Sequence, residues 1–234
     1  MSVDVDVREE ATSFVAKWRA RWPEWELGMV FVPAAQRPVV EAWFTLLQEL
    51  VDAALGGGDP TPGLAKLAWW QEELVGWSKG ARRHPLGAVL QPQGAPWQAL
   101  GHALPDLRTL RGPGGDGAPH GGGAGSPGHA WAAAVAGCEA VLFGGRDDAA
   151  AATTVLDSLL SERDWMQALS SDGADGSAAA AGVAKHPGRI TGRAGTRPRG
   201  IARAFVAARL RHPSKPLPPL RALLAAWRGA RSSR

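Results

Sequence analysis

The sequence predicts an all-α fold, a single helical bundle with glycine-rich loops, and three observations support this. Apolar residues recur at the spacing of helical turns along most of the 234 residues, and the strict apolar–polar alternation of strands is nearly absent. Hydrophobic residues make up 45% of the chain and charged residues 21%, which is typical of globular proteins. The length suits one domain with a sizeable core, so residues 1–234 are expected to form one domain.

The first half of the chain is predicted to contain four helices. Pro23 ends the first, and the glycine run that starts at Gly56 ends the second. The stretch Asp59-Pro60-Thr61-Pro62 then supplies a capping side chain and a proline suited to the first turn of the third helix. The apolar stripes place these helices at Phe14–Trp22, Val40–Leu55, Leu67–Gly80 and Trp97–Leu104.

The second half adds helices at Trp131–Leu142 and Val155–Leu169, and two basic helices within residues 201–234. Asp147-Asp148 is typical of a helix N-cap, and Ser161–Asp164 resembles a capping box, so two short helices are an alternative to one in that stretch. Residues 112–128 and 170–200 are rich in glycine and small residues, and they are expected to be flexible loops. The total is seven or eight helices.

Cysteine content and hydropathy limit the class of protein. Cys138 is the only cysteine, so no disulfide can form within the chain, and its apolar neighbours predict a buried thiol. The acidic first ten residues do not resemble a secretory signal, and no window approaches the ~18 apolar residues of a membrane span. The expected location is the cytoplasm, with peripheral membrane attachment as an alternative.

Charge is distributed very unevenly. Residues 1–184 hold 13 of the 26 Lys/Arg and all 22 Asp/Glu, whereas residues 185–234 hold the other 13 Lys/Arg and no acid. This predicts either an anionic partner for residues 185–234, such as a membrane surface, or docking of that segment onto the acidic body. Leu217, Leu220, Leu224 and Trp227 fit a membrane-bound helix or a core helix equally well. Nucleic acid is disfavoured, because the only aromatic residues there, Phe205 and Trp227, lie on apolar helical stripes.

Several site motifs are absent or unconvincing. Gly123–Gly128 matches G-x-G-x-x-G as a string, but no predicted strand precedes it, so we interpret it as a chance match. There is no phosphate-binding loop of the form G-x-x-x-x-G-K-[ST]. His120 and His129 have no second ligand at zinc-binding spacing.

A more specific pattern occurs between residues 64 and 86. The residues Leu67-Ala68-Trp69-Trp70-Gln71-Glu72-Glu73-Leu74 followed by Arg83-His84-Pro85 resemble a signature of the squalene/phytoene synthase family, a helix of the form L-x-W-W-x-x-E-L before an R-H-P turn. Residues 32–44 resemble the start of the family's first long active-site helix. The resemblance is strong over about residues 30–90 and fainter over 131–169 and in the last helix.

The resemblance implies the isoprenoid synthase fold and head-to-head condensation of two prenyl diphosphates, with Mg²⁺ held between two aspartate-rich helices. The sequence departs from that pattern. Asp52 has Gly56 at its i+4 position and only Glu49 one turn before it. In the second region, Asp157, Glu162 and Asp164 do not reproduce a paired repeat. Asp52, Glu162 and Asp164 are therefore weak metal-ligand candidates, and Arg82 and Arg83 are the candidates for binding diphosphate.

The leading hypothesis is a divergent, non-catalytic member of this family that binds a prenyl lipid or a protein partner and needs no cofactor. The alternative is a Mg²⁺-dependent prenyl transferase that uses Glu49 and Asp52 together with the Glu162/Asp164 region. A third hypothesis is a peripheral membrane module that binds anionic lipid through residues 185–234.

Overall fold

A computed structural model describes the chain over residues 2–111, 125–171, 195–211 and 216–232, with side chains described from residue 11 onwards except at 167, 168, 170 and 171. Every regular element in these ranges is helical, which confirms the all-α prediction. Ten α-helices lie in them: α1 Ser2–Arg21, α2 Trp25–Gly28, α3 Arg37–Leu55, α4 Thr61–Ser78, α5 Gly87–Leu90, α6 Trp97–Arg108, α7 His129–Phe143, α8 Ala149–Ser171, α9 Arg197–Arg209 and α10 Pro219–Ser232.

Several predicted helix ends are found in the structure, whereas α1 begins at Ser2, well before the predicted Phe14. Helix α3 ends at Leu55, directly before Gly56, and the Asp59 carboxylate accepts a hydrogen bond from the Thr61 backbone N–H at 2.8 Å. Asp148 likewise caps α8 by accepting from the Ala151 N–H at 2.9 Å. The helix count exceeds the prediction because α2 and α5 are single turns of four residues each.

The break predicted at Ser161–Asp164 is wrong, because α8 runs without interruption from Ala149 to Ser171. A capping residue must leave the helical conformation, but the residues on both sides of Ser161 are held by packing. Leu160 and Trp165 are both buried in the core. Tertiary contacts therefore override the local capping signal.

The two predicted loops lie largely outside the described residues. Of residues 112–128, the structure describes only 125–128, and of residues 170–200 it describes the two ends. Both described ends of the second segment include helix, because α8 extends to Ser171 and α9 begins at Arg197.

Helix α3 forms the centre of the bundle, and tryptophan side chains fill the space around it. Fourteen of its 19 residues are buried, and it packs against α1, α4, α5 and α6. Trp77 and Trp97 meet edge to face with ring centroids 5.2 Å apart. The tryptophans that are no more than 2% exposed are Trp18, Trp25, Trp43, Trp70, Trp77, Trp97, Trp131 and Trp165. Indoles thus provide most of the aromatic volume of the core.

The two basic C-terminal helices are part of this bundle. Arg199 of α9 forms a buried ion pair with Glu139 of α7, and Arg209 pairs with Glu24 at 2.7 Å. Helix α10 lies directly on α9, where Gly200 and Gly229 bring the two backbones together. None of the helices in the described ranges is both long and apolar enough to cross a membrane.

Candidate functional site

The residues of the signature pattern form a compact folding unit around one carboxylate. Glu73 of α4 is 2% exposed. Its Oε1 accepts hydrogen bonds from the backbone N–H groups of Arg83 and His84, both at 2.7 Å, and from Trp77 Nε1 at 2.8 Å. A carboxylate that accepts several N–H donors is held strongly in its charged form, and these bonds lower the pKa of Glu73 against the opposing effect of burial. The glutamate of the pattern therefore fixes the turn that follows the helix.

Arg83, one of the two candidates for binding diphosphate, belongs to the same unit. Its Nε lies 3.0 Å from Glu73 Oε2, and its guanidinium lies over the Trp69 ring at 5.4 Å from the centroid. The neighbouring His84 contacts the Trp70 ring, with centroids 4.5 Å apart. Desolvation by these rings lowers the pKa of His84 to about 4. Arg82, the second candidate, points elsewhere and lies on the rim of a surface groove.

The two carboxylates proposed on α3 do not share a site. Glu49 is bonded to Lys66 of α4 at 2.5 Å, whereas Asp52 is bonded to Arg21 of α1 at 2.8 Å. The residue one turn before Asp52 on the inward side is Gln48, which is buried and lines the central cavity of the bundle. Asp52, at the i+4 position from Gln48, does not line this cavity, and its side chain is 30% exposed.

On the opposite side of the centre, α8 presents an equivalent pair of positions. Ser158 and Glu162, also four residues apart, both line the central cavity. Asp164 lies two residues further on, within 4.0 Å of Arg163, and it does not line the cavity. The structure therefore brings Glu162 to the bundle centre and leaves Asp164 outside it.

The central cavity is small and its polar residues are unevenly satisfied. Its volume is about 40 Å³, which is room for only a few water molecules. Arg199 enters it from α9, with Nη1 at 3.5 Å from Ser158 Oγ. Among the described residues, Gln48 Oε1 and Trp131 Nε1 have no hydrogen-bond partner, so both fit contacts to water in this space.

Glu162 has an unusual charge state for a glutamate. Burial raises its pKa to about 7, and the nearby Asp52 carboxylate adds to that effect. The cations Arg199 and Arg21 act in the opposite direction and do not cancel it. At neutral pH this carboxyl is thus protonated in a large fraction of molecules.

These residues do not fit a magnesium clamp. Mg²⁺ prefers clustered oxygen anions, but Gln48 and Ser158 are neutral, and Asp52 is already bonded to Arg21. The Arg199 guanidinium at the same cavity would also repel a divalent cation. In the described parts of the chain, no three His, Cys, Asp or Glu side chains come together in a way that could hold a metal ion.

A much larger space lies on the outside of the bundle, between α1, α3 and residues 82–89, which include part of α5. We call it the α1–α3 groove, and its volume is about 630 Å³. Its walls include Val15, Leu86 and Val89, and Arg82 is exposed on its rim. Arg19 also lies there, paired with Glu41 across the groove. Sequence patterns do not reveal this groove, because its walls come from three separate stretches of the chain.

Comparison with known proteins yields no relatives. Neither a family model, nor a curated protein, nor a solved structure matches the chain. Its function is therefore inferred from its own residues and their geometry.

Proposed function

We propose that this protein is a non-catalytic member of the squalene/phytoene synthase family, with a divergent isoprenoid synthase fold, that binds a prenyl lipid with an anionic head in the α1–α3 groove. The observation that carries this proposal is the difference in volume between the central cavity and the α1–α3 groove. The central cavity has about 40 Å³, whereas the α1–α3 groove has about 630 Å³. Small-molecule sites commonly measure ~300–1,000 Å³, so of these two spaces among the described residues the groove is the one whose size suits a prenyl chain.

The lack of a metal clamp supports the non-catalytic part of the proposal. Ionising a prenyl diphosphate requires several positive charges around the leaving group, in practice Mg²⁺ ions held by carboxylates. From α3 and α8, Gln48, Ser158 and Glu162 line the central cavity, and Asp52 lies near enough to Glu162 for the two charges to interact. Gln48 and Ser158 are neutral, Asp52 is paired with Arg21, and burial raises the pKa of Glu162 to about 7, so among the described residues these four provide no such clamp.

The chemistry of the groove favours a lipid over a protein partner as its ligand. Val15, Leu86 and Val89 provide apolar walls for a hydrocarbon chain. Arg82 on the rim provides a permanent positive charge and several N–H donors, which suit a phosphate or diphosphate head. The ligand therefore needs one apolar chain and one anionic end.

The test is a binding titration with a non-hydrolysable farnesyl diphosphate analogue and two groove variants. Ala16 is exposed on the groove wall, so Ala16→Trp should fill the groove without disturbing the core, and Arg82→Gln should remove the charge. We expect each to weaken binding by about tenfold or more. Arg108→Gln is the control, because Arg108 is exposed and does not line the groove. Equal affinity in all three variants would contradict the proposal.

A Mg²⁺-dependent prenyl transferase is the alternative function, and one observation favours it. Asp52 of α3 and Glu162 of α8 are close enough for each charge to affect the other across the bundle centre. This alternative predicts that purified protein with Mg²⁺ converts farnesyl diphosphate to a condensed product, and that Asp52→Ala abolishes the conversion. Absence of product from the unmodified protein supports the non-catalytic proposal.

A further inference from the structure

Helix α10 has its large apolar side chains on the outside and its small ones on the inside. Ala222, Ala226 and Gly229 are buried against α9. The opposite side carries side chains that are strongly exposed: Leu220 at 82%, Leu224 at 44%, Trp227 at 43% and Leu223 at 39%. The i, i+3, i+4, i+7 spacing of these four residues places them in one stripe along the helix.

This stripe is unusual in the molecule. Across the described residues, seven large apolar side chains are exposed, and four of them lie on this one helix. The other three are Val30, Val141 and Leu169, on separate elements. Single exposed apolar residues are normal on protein surfaces, but a continuous stripe of leucine and tryptophan indicates a surface that binds something.

Basic residues accompany the stripe. Arg221 and Arg228 lie along one flank of α10, and Arg231 lies over the Trp227 ring at 4.9 Å from the centroid. All three are exposed. Helix α10 contains no acidic residue, and neither does any other part of residues 185–234. The stripe thus combines apolar side chains with uncompensated positive charge.

We propose that the outer face of α10 docks on an anionic lipid bilayer. The leucines and Trp227 would enter the boundary between headgroups and acyl chains, which is where tryptophan is enriched in membrane proteins. The arginines would meet the lipid phosphates, whose negative potential attracts clustered basic residues. A second copy of the chain fits this face less well, because two copies would bring Arg221, Arg228 and Arg231 against the same three residues.

The structure also distinguishes the residue that attaches α10 to the body of the protein from the residues that would contact the bilayer. Leu217 is 9% exposed, and its backbone N–H donates to Glu24 Oε1 at 2.8 Å, so it fastens the start of α10 to the body. Of the four residues that the sequence leaves open between core and membrane, Leu217 belongs to the core. Leu220, Leu224 and Trp227 are on the surface, and Leu223 joins them.

The experiment is flotation of the full chain with vesicles of two compositions, phosphatidylcholine alone and phosphatidylcholine with about a third phosphatidylglycerol. We expect flotation with the anionic vesicles that weakens as salt is added, and little flotation with the neutral ones. Leu224→Asp and the double variant Arg221→Gln/Arg228→Gln should each reduce partitioning by about tenfold or more. Val141→Ser, which removes an exposed apolar residue elsewhere, should leave partitioning unchanged.

Three results would overturn the proposal. They are no flotation of the unmodified protein with anionic vesicles, equal flotation of all the variants, or a dimer in sedimentation analysis that Leu224→Asp dissociates. Circular dichroism and thermal unfolding check that each variant folds, which the exposure of these residues leads us to expect. This inference is independent of the proposed function, because α10 and the α1–α3 groove share no residue and are tested by different variants.

Discussion

At the residue scale, the contacts of Glu73 explain why a glutamate follows the two tryptophans of α4 and precedes the Arg83-His84-Pro85 turn. The tryptophans of α4, the buried carboxylate and the following Arg83-His84-Pro85 turn make one hydrogen-bonded unit. A glutamate one helical turn before Trp77 reaches both the indole N–H and the backbone of the turn. The pattern that resembles the squalene/phytoene synthase family therefore stabilises the fold in this chain, whatever the ligand.

Glu73→Gln should destabilise the protein by about 3 kcal/mol. The amide presents one oxygen in place of a charged carboxylate, and it leaves Arg83 and the buried N–H groups poorly satisfied. Urea denaturation followed by circular dichroism measures this loss. Glu72→Gln is the matched control. The Glu72 side chain is 73% exposed, and its ion pair with Arg83 is long, at 3.7 Å, so the change should alter the free energy of unfolding by less than about 0.5 kcal/mol. Similar losses in both variants would contradict this role of Glu73.

His84 provides a pH dependence whose sign follows from its surroundings. Desolvation against Phe14, Trp69 and Trp70 is the main cause that lowers its pKa to about 4, from an ordinary value of 6.5. Glu49 and Glu73 oppose this shift and Lys66 adds to it. Between these two pH values the unfolded chain binds more protons at this position than the folded one. The contribution of His84 is thus fully present above about pH 6.5 and is lost as the pH falls towards 4.

The matching variant is His84→Asn, which removes the titrating imidazole. In the unmodified protein the Leu86 N–H donates to His84 Nδ1 at 3.2 Å, and the asparagine oxygen can accept this bond instead. The advantage of the unmodified protein over this variant should be larger at pH ~7.5 than at pH ~4.5, by at least about 1 kcal/mol. Urea titrations of both proteins at the two pH values measure this difference. A difference that does not change with pH would show that His84 titrates normally.

At the scale of elements, the crossing of α9 and α10 depends on two glycines. A Cβ on Gly200 would lie 2.4 Å from the backbone oxygen of Gly229, and the reverse distance is also 2.4 Å. Backbone atoms cannot move aside as side chains do, so any larger residue must separate the helices. This contact positions α10 with its leucines outward.

Gly200→Ala should therefore destabilise the protein by about 2 kcal/mol or more and expose α10 to proteolysis. Gly137→Ala is a suitable control within another helix, because the nearest atom to its Cβ would be Pro96 Cγ at an ordinary 3.7 Å. There the alanine should be neutral or stabilising by up to about 1 kcal/mol. Denaturation midpoints and limited digestion measure both effects, and equal behaviour of the two variants would contradict the close crossing.

The ends of elements were predictable where the chain carries a local chemical signal. Gly56 and Asp59 mark the end of α3 and the start of α4, and Asp148 marks the start of α8. The continuity of α8 through Ser161 was not predictable in this way, because it depends on Leu160 and Trp165 packing against the rest of the bundle. Neighbouring residues in the sequence therefore indicate where a helix is capped, but they do not indicate which residues pack against distant parts of the chain.

At the scale of the whole molecule, the acidic body and the basic C-terminal region are joined by buried ion pairs. Arg209 lies over the adjoining rings of Trp22 and Trp165 and pairs with Glu24, which is 185 residues away in the sequence. Part of the positive charge of residues 185–234 is thus neutralised inside the fold. This agrees with the prediction that this segment docks onto the acidic body. The arginines of α10 are exposed and face away from these pairs.

Glu24→Gln should weaken the whole molecule, because it leaves a buried Arg209 without its charged partner and weakens the bond to the Leu217 N–H. Breaking a buried pair from one side costs ~3–5 kcal/mol. Glu26→Gln, a change on the exposed neighbouring position, should cost less than about 0.5 kcal/mol. Urea unfolding should show a single transition in both variants, shifted only in the first. A separate early transition for the C-terminal helices would contradict their integration into the bundle.

The candidate site was predictable only in part. A sequence pattern of carboxylates indicates Asp52 and Glu162, of which the structure places Glu162 at the central cavity and Asp52 outside it, near enough for the two charges to interact. It passes over Gln48 and Ser158, which are neutral and carry no pattern of their own, although they occupy the facing positions. Glu139 is likewise 60 residues from Arg199, so no local spacing indicates that pair. Long-range contacts determine which polar residues lie next to each other, and these contacts cannot be predicted from the spacing of residues in a single sequence.

The most direct test of the account is calorimetric titration of a non-hydrolysable farnesyl diphosphate analogue into the full chain, with and without Mg²⁺. We predict binding of equal affinity in both conditions, because the residues at the centre do not form a metal clamp and the ligand enters the α1–α3 groove. Asp52→Ala should leave that affinity unchanged. Tight binding that requires Mg²⁺ and disappears in Asp52→Ala would contradict the account and establish the prenyl transferase in its place, and absence of binding in both conditions would contradict the lipid-binding role.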